Sequence, residues 1–327
     1  NDFKKINGTN MKIDNMIINN PDRKFIEDLD SLPFPSREHL ENEKYLEPSQ
    51  QKPFTLIKTS RGCPYECIYC TSRVYYGKKW RYRSPEKIVD EIEEVVNKFN
   101  INDFMFSSDT FNLQETHVLK ICELIKERKL NIRWMSNSRV TTLTEKMAEE
   151  MKDSGCWLIS LGTESGSNAI LKDAKKDQTI EQSISAVNVA NKAGLKTVCY
   201  FMFGLPGETK ESMRNTLDFA ISLNPTYAHF WTATPFPGTE FYRIAAKNDW
   251  ITSYDWRRYQ HGFSDVVSYG DRLSGKDIKK FVKYAYRKFY YRPLRIFKEL
   301  NSIRNFSDLT GRSKMAFYML KDWVLTH

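Results

Sequence analysis

Three of the chain's six cysteines, Cys63, Cys67 and Cys70, fall in one short C-x3-C-x2-C segment. Thiolates are soft metal ligands, and a tight triplet in a chain of 327 residues is not the disulfide framework of a short secreted domain. A structural zinc site needs four ligands, commonly two close pairs. No second C-x2-C is present here, and the nearest histidines in sequence are His39 and His117. Iron–sulfur clusters usually take four cysteines. Three on one loop suit three irons of a cubane and leave the fourth iron open to a chelating substrate or cofactor. A loop of buried free thiols is the bland alternative. The remaining cysteines, Cys122, Cys156 and Cys199, are scattered singly.

The triplet follows a run with strand character, and further chemically loaded residues do the same. Runs rich in β-branched and aromatic residues occur at Phe54–Thr59, Asp103–Ser107, Ile132–Ser136, Trp157–Leu161, Thr197–Phe203 and His229–Ala233. Helical spacing fills the stretches between: Pro85–Phe99, Gln114–Arg128, Thr144–Ser154, Thr179–Ala193 and Glu208–Leu223. Pro85 sits just inside a helix start, and Ser154-Gly155 and Ala193-Gly194 place glycines at helix ends. Strand–helix alternation predicts an α/β fold with a parallel sheet and crossover helices. Ligands of such sheets bind at the carboxyl ends of the strands. Asp109, Arg139, Glu164, Gly204 and Gly207 all stand there.

Composition narrows the class. Apolar residues make up 40% and charged residues 28%, with 14 Gly and 12 Pro, which excludes collagen-like and wholly disordered chains. The longest near-continuous apolar run, Val198–Leu205, is far short of the ~20 residues of a spanning helix. No secretory leader is visible, and the expected location is cytoplasmic. The net charge of +9 is concentrated in 276–298, which holds nine Lys or Arg and one acid, Asp277. The rest is nearly neutral, so a nucleic-acid-coating protein is not indicated.

The triplet, with Tyr69 before its last cysteine, resembles the signature of radical S-adenosylmethionine enzymes. The resemblance continues through Phe106–Phe111, Gly162-Thr163-Glu164-Ser165-Gly166, Gly204-Leu205-Pro206-Gly207-Glu208-Thr209 and Thr234–Thr239. With the Leu29–Pro35 segment and Tyr290-Tyr291-Arg292-Pro293, it points to the cobalamin-dependent subgroup of methylases and cyclases and covers roughly 28–300. It implies a partial TIM-like barrel of six β/α units, with an extended arm over 1–50, the core barrel over 51–240 and a helical extension over 241–327. It implies a 4Fe–4S cluster on Cys63, Cys67 and Cys70, whose open iron is chelated by S-adenosylmethionine. One electron then cleaves the sulfonium to methionine and a 5′-deoxyadenosyl radical, which takes a substrate hydrogen. The expected reaction is methylation or cyclisation of an unactivated carbon.

Residue by residue, the resemblance implies cofactor contacts from Tyr69, Asp109 (methionine amino group), Arg139 (carboxylate), Glu164 (ribose hydroxyls) and the Gly204–Gly207 turn. The usual Gly-Gly-Glu is absent here. For Glu164 the simpler expectation is an acid at a helix N-terminus; for Arg139 it is a structural acid partner. The subgroup's Asp-x-His-x-x-Gly cobalamin motif is absent, and the chain opens on Asn. The expectation is a cobalamin domain upstream of this chain. A flavodoxin or ferredoxin would supply the electron, and the substrate is expected to be a small or lipid-like molecule. Residues 274–301 read as two basic helices broken at Pro293, packed on the barrel with a solvated face or touching a membrane surface. The alternatives are a tRNA-methylthiotransferase-like enzyme, disfavoured without its terminal β-rich RNA-binding domain, and a non-catalytic iron–sulfur or zinc module.

Overall fold

The computed structural model describes residues 3–47, 51–259, 267–268, 270–293 and 295–297. A hairpin, β1 (Asn10–Ile13) and β2 (Met16–Asn19), precedes β3 (Leu46–Glu47), β4 (Lys52–Lys58), β5 (Ser60–Arg61), α1 (Ser72–Tyr76) and β6 (Arg81–Tyr82). Then follow α2 (Pro85–Phe99), β7 (Asp103–Ser107), α3 (Glu115–Glu127), β8 (Arg133–Ser138), α4 (Glu145–Asp153) and β9 (Cys156–Glu164). After these come α5 (Asn168–Asp173), α6 (Ile180–Lys192), β10 (Lys196–Phe203), α7 (Lys210–Leu223), β11 (Tyr227–Thr232), α8 (Glu240–Lys247) and α9 (Gly275–Tyr290).

The main sheet runs β3-β4-β7-β8-β9-β10-β11, with β3 antiparallel and the other six mutually parallel. Each crossover therefore steps to the next strand in the same direction. That singly wound order curls the sheet into an open half-barrel, the α/β partial barrel of six units that the sequence predicts. On its outer face Ile57, Phe104, Trp134, Ile159, Phe201 and Phe230 are buried in one apolar cluster with residues of the surrounding helices. The opposite face is less covered: Met105, Met135, Asn137, Tyr200, His229 and Trp231 are only partly buried. Strands alternate their side chains, so these residues line the concave side.

Local sequence explains the boundaries. The Ser84 hydroxyl accepts from the Lys87 amide, Pro85 opens α2, and Asn100 ends it in the left-handed conformation. The other predicted helices begin or end within two residues of their expected limits. Short α5 and α8, and the hairpin, are elements that spacing alone does not announce.

The arm is packed on the barrel rather than lying free. Leu29 is buried, the Asp30 carboxylate accepts from the Ser84 amide at 3.0 Å, and Arg37 donates to Glu91 at 2.6 Å. Arg83 donates to the other Glu91 oxygen, so a fully buried acid is held between two guanidinium groups.

At the other end β11 is an edge strand. Tyr286 and Tyr290, one turn apart on α9, turn their hydroxyls to it. The Phe230 amide donates to Tyr286 Oη at 3.1 Å and the Ala228 amide to Tyr290 Oη at 3.0 Å. Tyr290 in turn donates to the Ala228 carbonyl at 2.9 Å. The expected second basic helix lies largely outside the described residues. Among the described residues no helix is long and apolar enough to cross a membrane.

Candidate active site

The cysteine loop leaves β5 at the carboxyl end of the sheet and is tied down on both sides. Gly62 has φ +89, and a Cβ there would collide with the Lys79 carbonyl, so the turn requires glycine. Its amide donates to Asp109 Oδ2 at 2.8 Å. At the far side the Ile68 amide donates to the Ala174 carbonyl at 3.1 Å, and the Phe241 amide to the Ile68 carbonyl at 2.9 Å. The segments that follow β7, β9 and β11 thus grip one loop. All three of its cysteines are free thiols. Burial pushes the Cys70 thiol up to about 11; Cys67 and Cys63 add to the rise and Lys176 opposes it. The three thiols and Lys176 therefore share one electrostatic neighbourhood.

Glu164 ends β9 with φ +60, an unusual conformation for a side chain of this kind. It is not at a helix N-terminus: Ser167 caps α5, its hydroxyl accepting from the Ile170 amide. The Glu164 carboxylate instead accepts from Lys176 Nζ at 2.8 Å, with both side chains almost wholly buried. Burial disfavours the lysine's charge, but Glu164 and Cys67 outweigh it and raise its pKa. Gly162 makes room for this pair. A Cβ there would lie 2.5 Å from Glu164 Oε1 and 2.6 Å from Lys176 Nζ. Tyr69 reaches the same place: burial first, then Glu164, Cys67 and Cys70 hold its phenol well above the usual tyrosine range.

Arg139 is buried and committed elsewhere. Its guanidinium donates to the carbonyls of Lys176 and Asp177 and to Thr141 Oγ1, and it stacks 3.6 Å from the centre of the Tyr65 ring. The partners are carbonyls and an aromatic face rather than an acid. Arg139 therefore fixes the loop carrying Lys176 against the cysteine loop. Its backbone exchanges two hydrogen bonds with the Asn112 side chain, at 2.7 and 2.9 Å, which locks the loops after β7 and β8 together.

Gly204 and Gly207 both take positive φ, +93 and +79, in the turn after β10. Beneath the turn, buried Glu208 accepts from the Gly204 amide at 2.5 Å, and its Oε1 has no partner. Burial raises its carboxyl to about 8, against the pull of the Gly204 and Leu205 amides.

The structure brings Cys63, Cys67, Cys70, Tyr69, Asp109 and Glu164 to one end of the barrel and adds two residues that sequence reasoning missed, Lys176 and Glu208. Glu208 was visible within the Gly204–Thr209 motif. Lys176 carried no signal, because it stands twelve residues beyond Glu164 and meets it only through the fold.

The sequence profile of the radical SAM superfamily matches residues 57–220, the span from β4 into α7 that carries the cysteine loop and the Glu164–Lys176 pair. An uncharacterised methyltransferase of Pyrococcus horikoshii is 36% identical over 299 residues, covering 91% of this chain and 64% of the relative. The anaerobic magnesium-protoporphyrin IX monomethyl ester cyclase of Rubrivivax gelatinosus is 29% identical over 279 residues, covering 85% and 49%. This chain thus spans about half to two thirds of the length of these curated relatives. Among solved structures, the cobalamin-dependent S-adenosylmethionine radical enzyme OxsB, with aqua-cobalamin and S-adenosylmethionine bound, superposes with a TM-score of 0.71. It is 17% identical, over 97% of this chain and 52% of that one, a likeness of fold. With more than half of its length matched by the profile, and its cysteine triplet seated at the carboxyl ends of a parallel half-barrel, the chain belongs to the radical SAM superfamily.

Proposed function

We propose that this chain is the catalytic barrel of a radical S-adenosylmethionine enzyme that methylates or cyclises an unactivated carbon, with cobalamin held by a further domain. The observation that carries the reading is the clamped loop of three free thiols facing the buried Glu164–Lys176 pair. The residues present suit a 4Fe–4S cluster and its ligand. Three thiols on one clamped loop, with no second close pair of cysteines in the sequence, favour a cluster with one open iron over a structural zinc, which takes four ligands. Around the loop, buried hydroxyls of Ser60, Ser72 and Ser108 have no protein partner, leaving donors for a polar ligand.

When bound, the cluster supplies the electron that opens the sulfonium C–S bond. The chain's own residues position and shield. Lys176 has three N–H donors and uses one on Glu164, so it is better placed than Arg139 to meet a ligand carboxylate. Glu164 can accept from ribose hydroxyls. Asp109, whose Oδ2 holds Gly62, sets the loop's height above the sheet and presents its other oxygen to an amino group. The Gly204–Gly207 turn, with both glycines at positive φ, would bring backbone to the cofactor. A small-molecule substrate and a flavodoxin- or ferredoxin-type reductant complete the reading. The names of the two curated relatives, a methyltransferase and a cyclase, support the reaction class. The cobalamin dependence of OxsB supports the carrier.

Anaerobic reconstitution tests the reading. About four irons per chain, with reductive cleavage of S-adenosylmethionine to 5′-deoxyadenosine and methionine, is the expected result. Cys67→Ala should lose both. One zinc per chain without cleavage, or full iron and cleavage in Cys67→Ala, would overturn it.

A further inference from the structure

We propose that the outward face of α9 docks the protein on an anionic membrane surface. Its inward face is spent on the barrel: Ile278, Val282, Ala285 and Phe289 are buried, and Tyr286 and Tyr290 hold β11. Lys276, Lys280, Tyr284, Arg287 and Tyr291 recur at three- and four-residue spacing, so they share the opposite face, and all five are exposed. The stripe runs about 22 Å along the helix. Six of the sixteen residues of α9 are Lys or Arg and one is acidic. That acid, Asp277, is engaged by Lys210 Nζ at 3.1 Å and by Ser274 Oγ at 2.8 Å. A basic cluster of this size on an amphipathic helix is what an anionic leaflet attracts.

A charged face that only meets water needs no apolar bodies, and this one has them. Tyr284 stands between Lys280 and Arg287, with Lys288 Nζ 5.7 Å from its ring centre. Tyr291 is 56% exposed, and beyond it Ile296 and Phe297 are exposed as well. The chain there is anchored, because Arg292 donates to the Ile221 carbonyl at 3.0 Å and Arg295 to the Pro225 carbonyl at 3.3 Å. Tyrosines among cations suit the headgroup layer, where a ring meets acyl chains and its hydroxyl meets water. A nucleic-acid strand would lie in a groove. The groove between α7 and α9 is lined by Asp218 and Asp277 as well as by Lys210 and Arg214, so the surplus charge belongs to the ridge beside it. At its start α9 packs under the Gly204–Gly207 turn, where a Cβ on Gly204 would lie 3.0 Å from Ile278 Cδ1. A bilayer on α9 therefore lies beside the mouth of the barrel.

Vesicle flotation of the reconstituted chain tests the docking. At ~100 mM salt it should bind vesicles of phosphatidylglycerol and phosphatidylcholine in equal parts at least ~10-fold more tightly than vesicles of phosphatidylcholine alone, and ~500 mM salt should remove most of that difference. Lys280→Glu with Arg287→Glu should weaken binding at least ~25-fold, about 5-fold for each lost cation. Tyr284→Ser with Tyr291→Ser should weaken it roughly 3- to 10-fold through lost apolar contact. The same charge reversal at exposed Lys146 and Lys152 of α4 should leave binding unchanged. Oligouridylate and polyglutamate at matched charge should not displace the vesicles. Equal binding of the two vesicle types, binding unmoved by either α9 double variant, or an equal loss from the α4 reversal overturns the docking. Displacement by oligouridylate or by polyglutamate also overturns it, in favour of a nucleic acid or an acidic protein. Nothing in this docking depends on the cysteine loop, so iron content and S-adenosylmethionine cleavage should stay constant in every variant, and they judge the proposed function separately.

Discussion

Lys176→Met removes the cation from the buried pair and leaves Glu164 without its partner. Both side chains are nearly excluded from water, at 10% and 8% exposure, so solvent cannot take over the lost contact. Breaking a buried pair from one side costs about 3–5 kcal/mol, because an uncompensated charge remains inside. At about 2–4 °C per kcal/mol, the melting temperature should fall by roughly 6–20 °C. Glu164→Gln strands the lysine in the same way. The double variant Lys176→Met, Glu164→Gln buries neither charge, so its loss should be at least ~1 kcal/mol smaller than the sum of the singles. Denaturant unfolding of the four proteins, without added cofactors, gives the cycle. Gly162→Ala, whose Cβ would press on both partner atoms at 2.5–2.6 Å, should destabilise in the same direction. In the reconstituted protein Glu164→Gln should also weaken S-adenosylmethionine by about 10- to 100-fold without loss of iron, the scale of a hydrogen bond to a charged acceptor. A Lys176→Met loss below ~1 kcal/mol, or strictly additive singles, would refute the argument that this pair is buried and coupled.

Glu208 gives a pH signature. Its folded pKa, raised to about 8, exceeds the ordinary value near 4.5, so the folded chain holds a proton that the unfolded chain has released. Its contribution is fully present below about pH 4.5 and is lost as pH rises through about 8, with a slope of up to about 1.4 kcal/mol per pH unit. Glu208→Gln should remove that slope. Melting curves from pH 5 to 8 that run parallel for the two proteins would refute it. Arg37→Ala should cost about 1.5–3 kcal/mol, the scale of a hydrogen bond to a charged group, because Arg83 still holds buried Glu91. A loss under ~1 kcal/mol in urea unfolding would show that the arm before β4 adds nothing to the barrel's stability.

The six barrel strands were legible because their outward residues are large and apolar, and α2 because Ser84, Pro85 and Asn100 punctuate it. What failed to show was whatever depends on distant partners. The segment Asn168–Asp173 makes less than two helical turns, too few for a periodic pattern. Arg139 reads as a cation awaiting an acid, but its real partners are backbone carbonyls, which no side-chain pattern reveals. Glu164 reads as a helix-terminal acid because Ser165-Gly166-Ser167 hides how much chain separates it from the cap. Arg37 sits 54 residues from the acid it covers, so the arm looks like a linker until the fold is seen.

The tyrosine hydroxyls against β11 decide where the barrel may be cut. The superfamily profile stops at residue 220, inside α7, which invites trimming soon after β11. Such a truncated chain would keep every residue of the cysteine loop and of the Glu164–Lys176 pair. It would also bare the Ala228 and Phe230 amides that Tyr286 and Tyr290 now occupy. An uncovered strand margin is a template for the same margin on a second molecule. Shortened forms ending before α9 should therefore associate through β11 in a concentration-dependent way, even with an intact cluster loop. The smallest well-behaved unit of this protein extends through Tyr290, seventy residues past the end of the profile match.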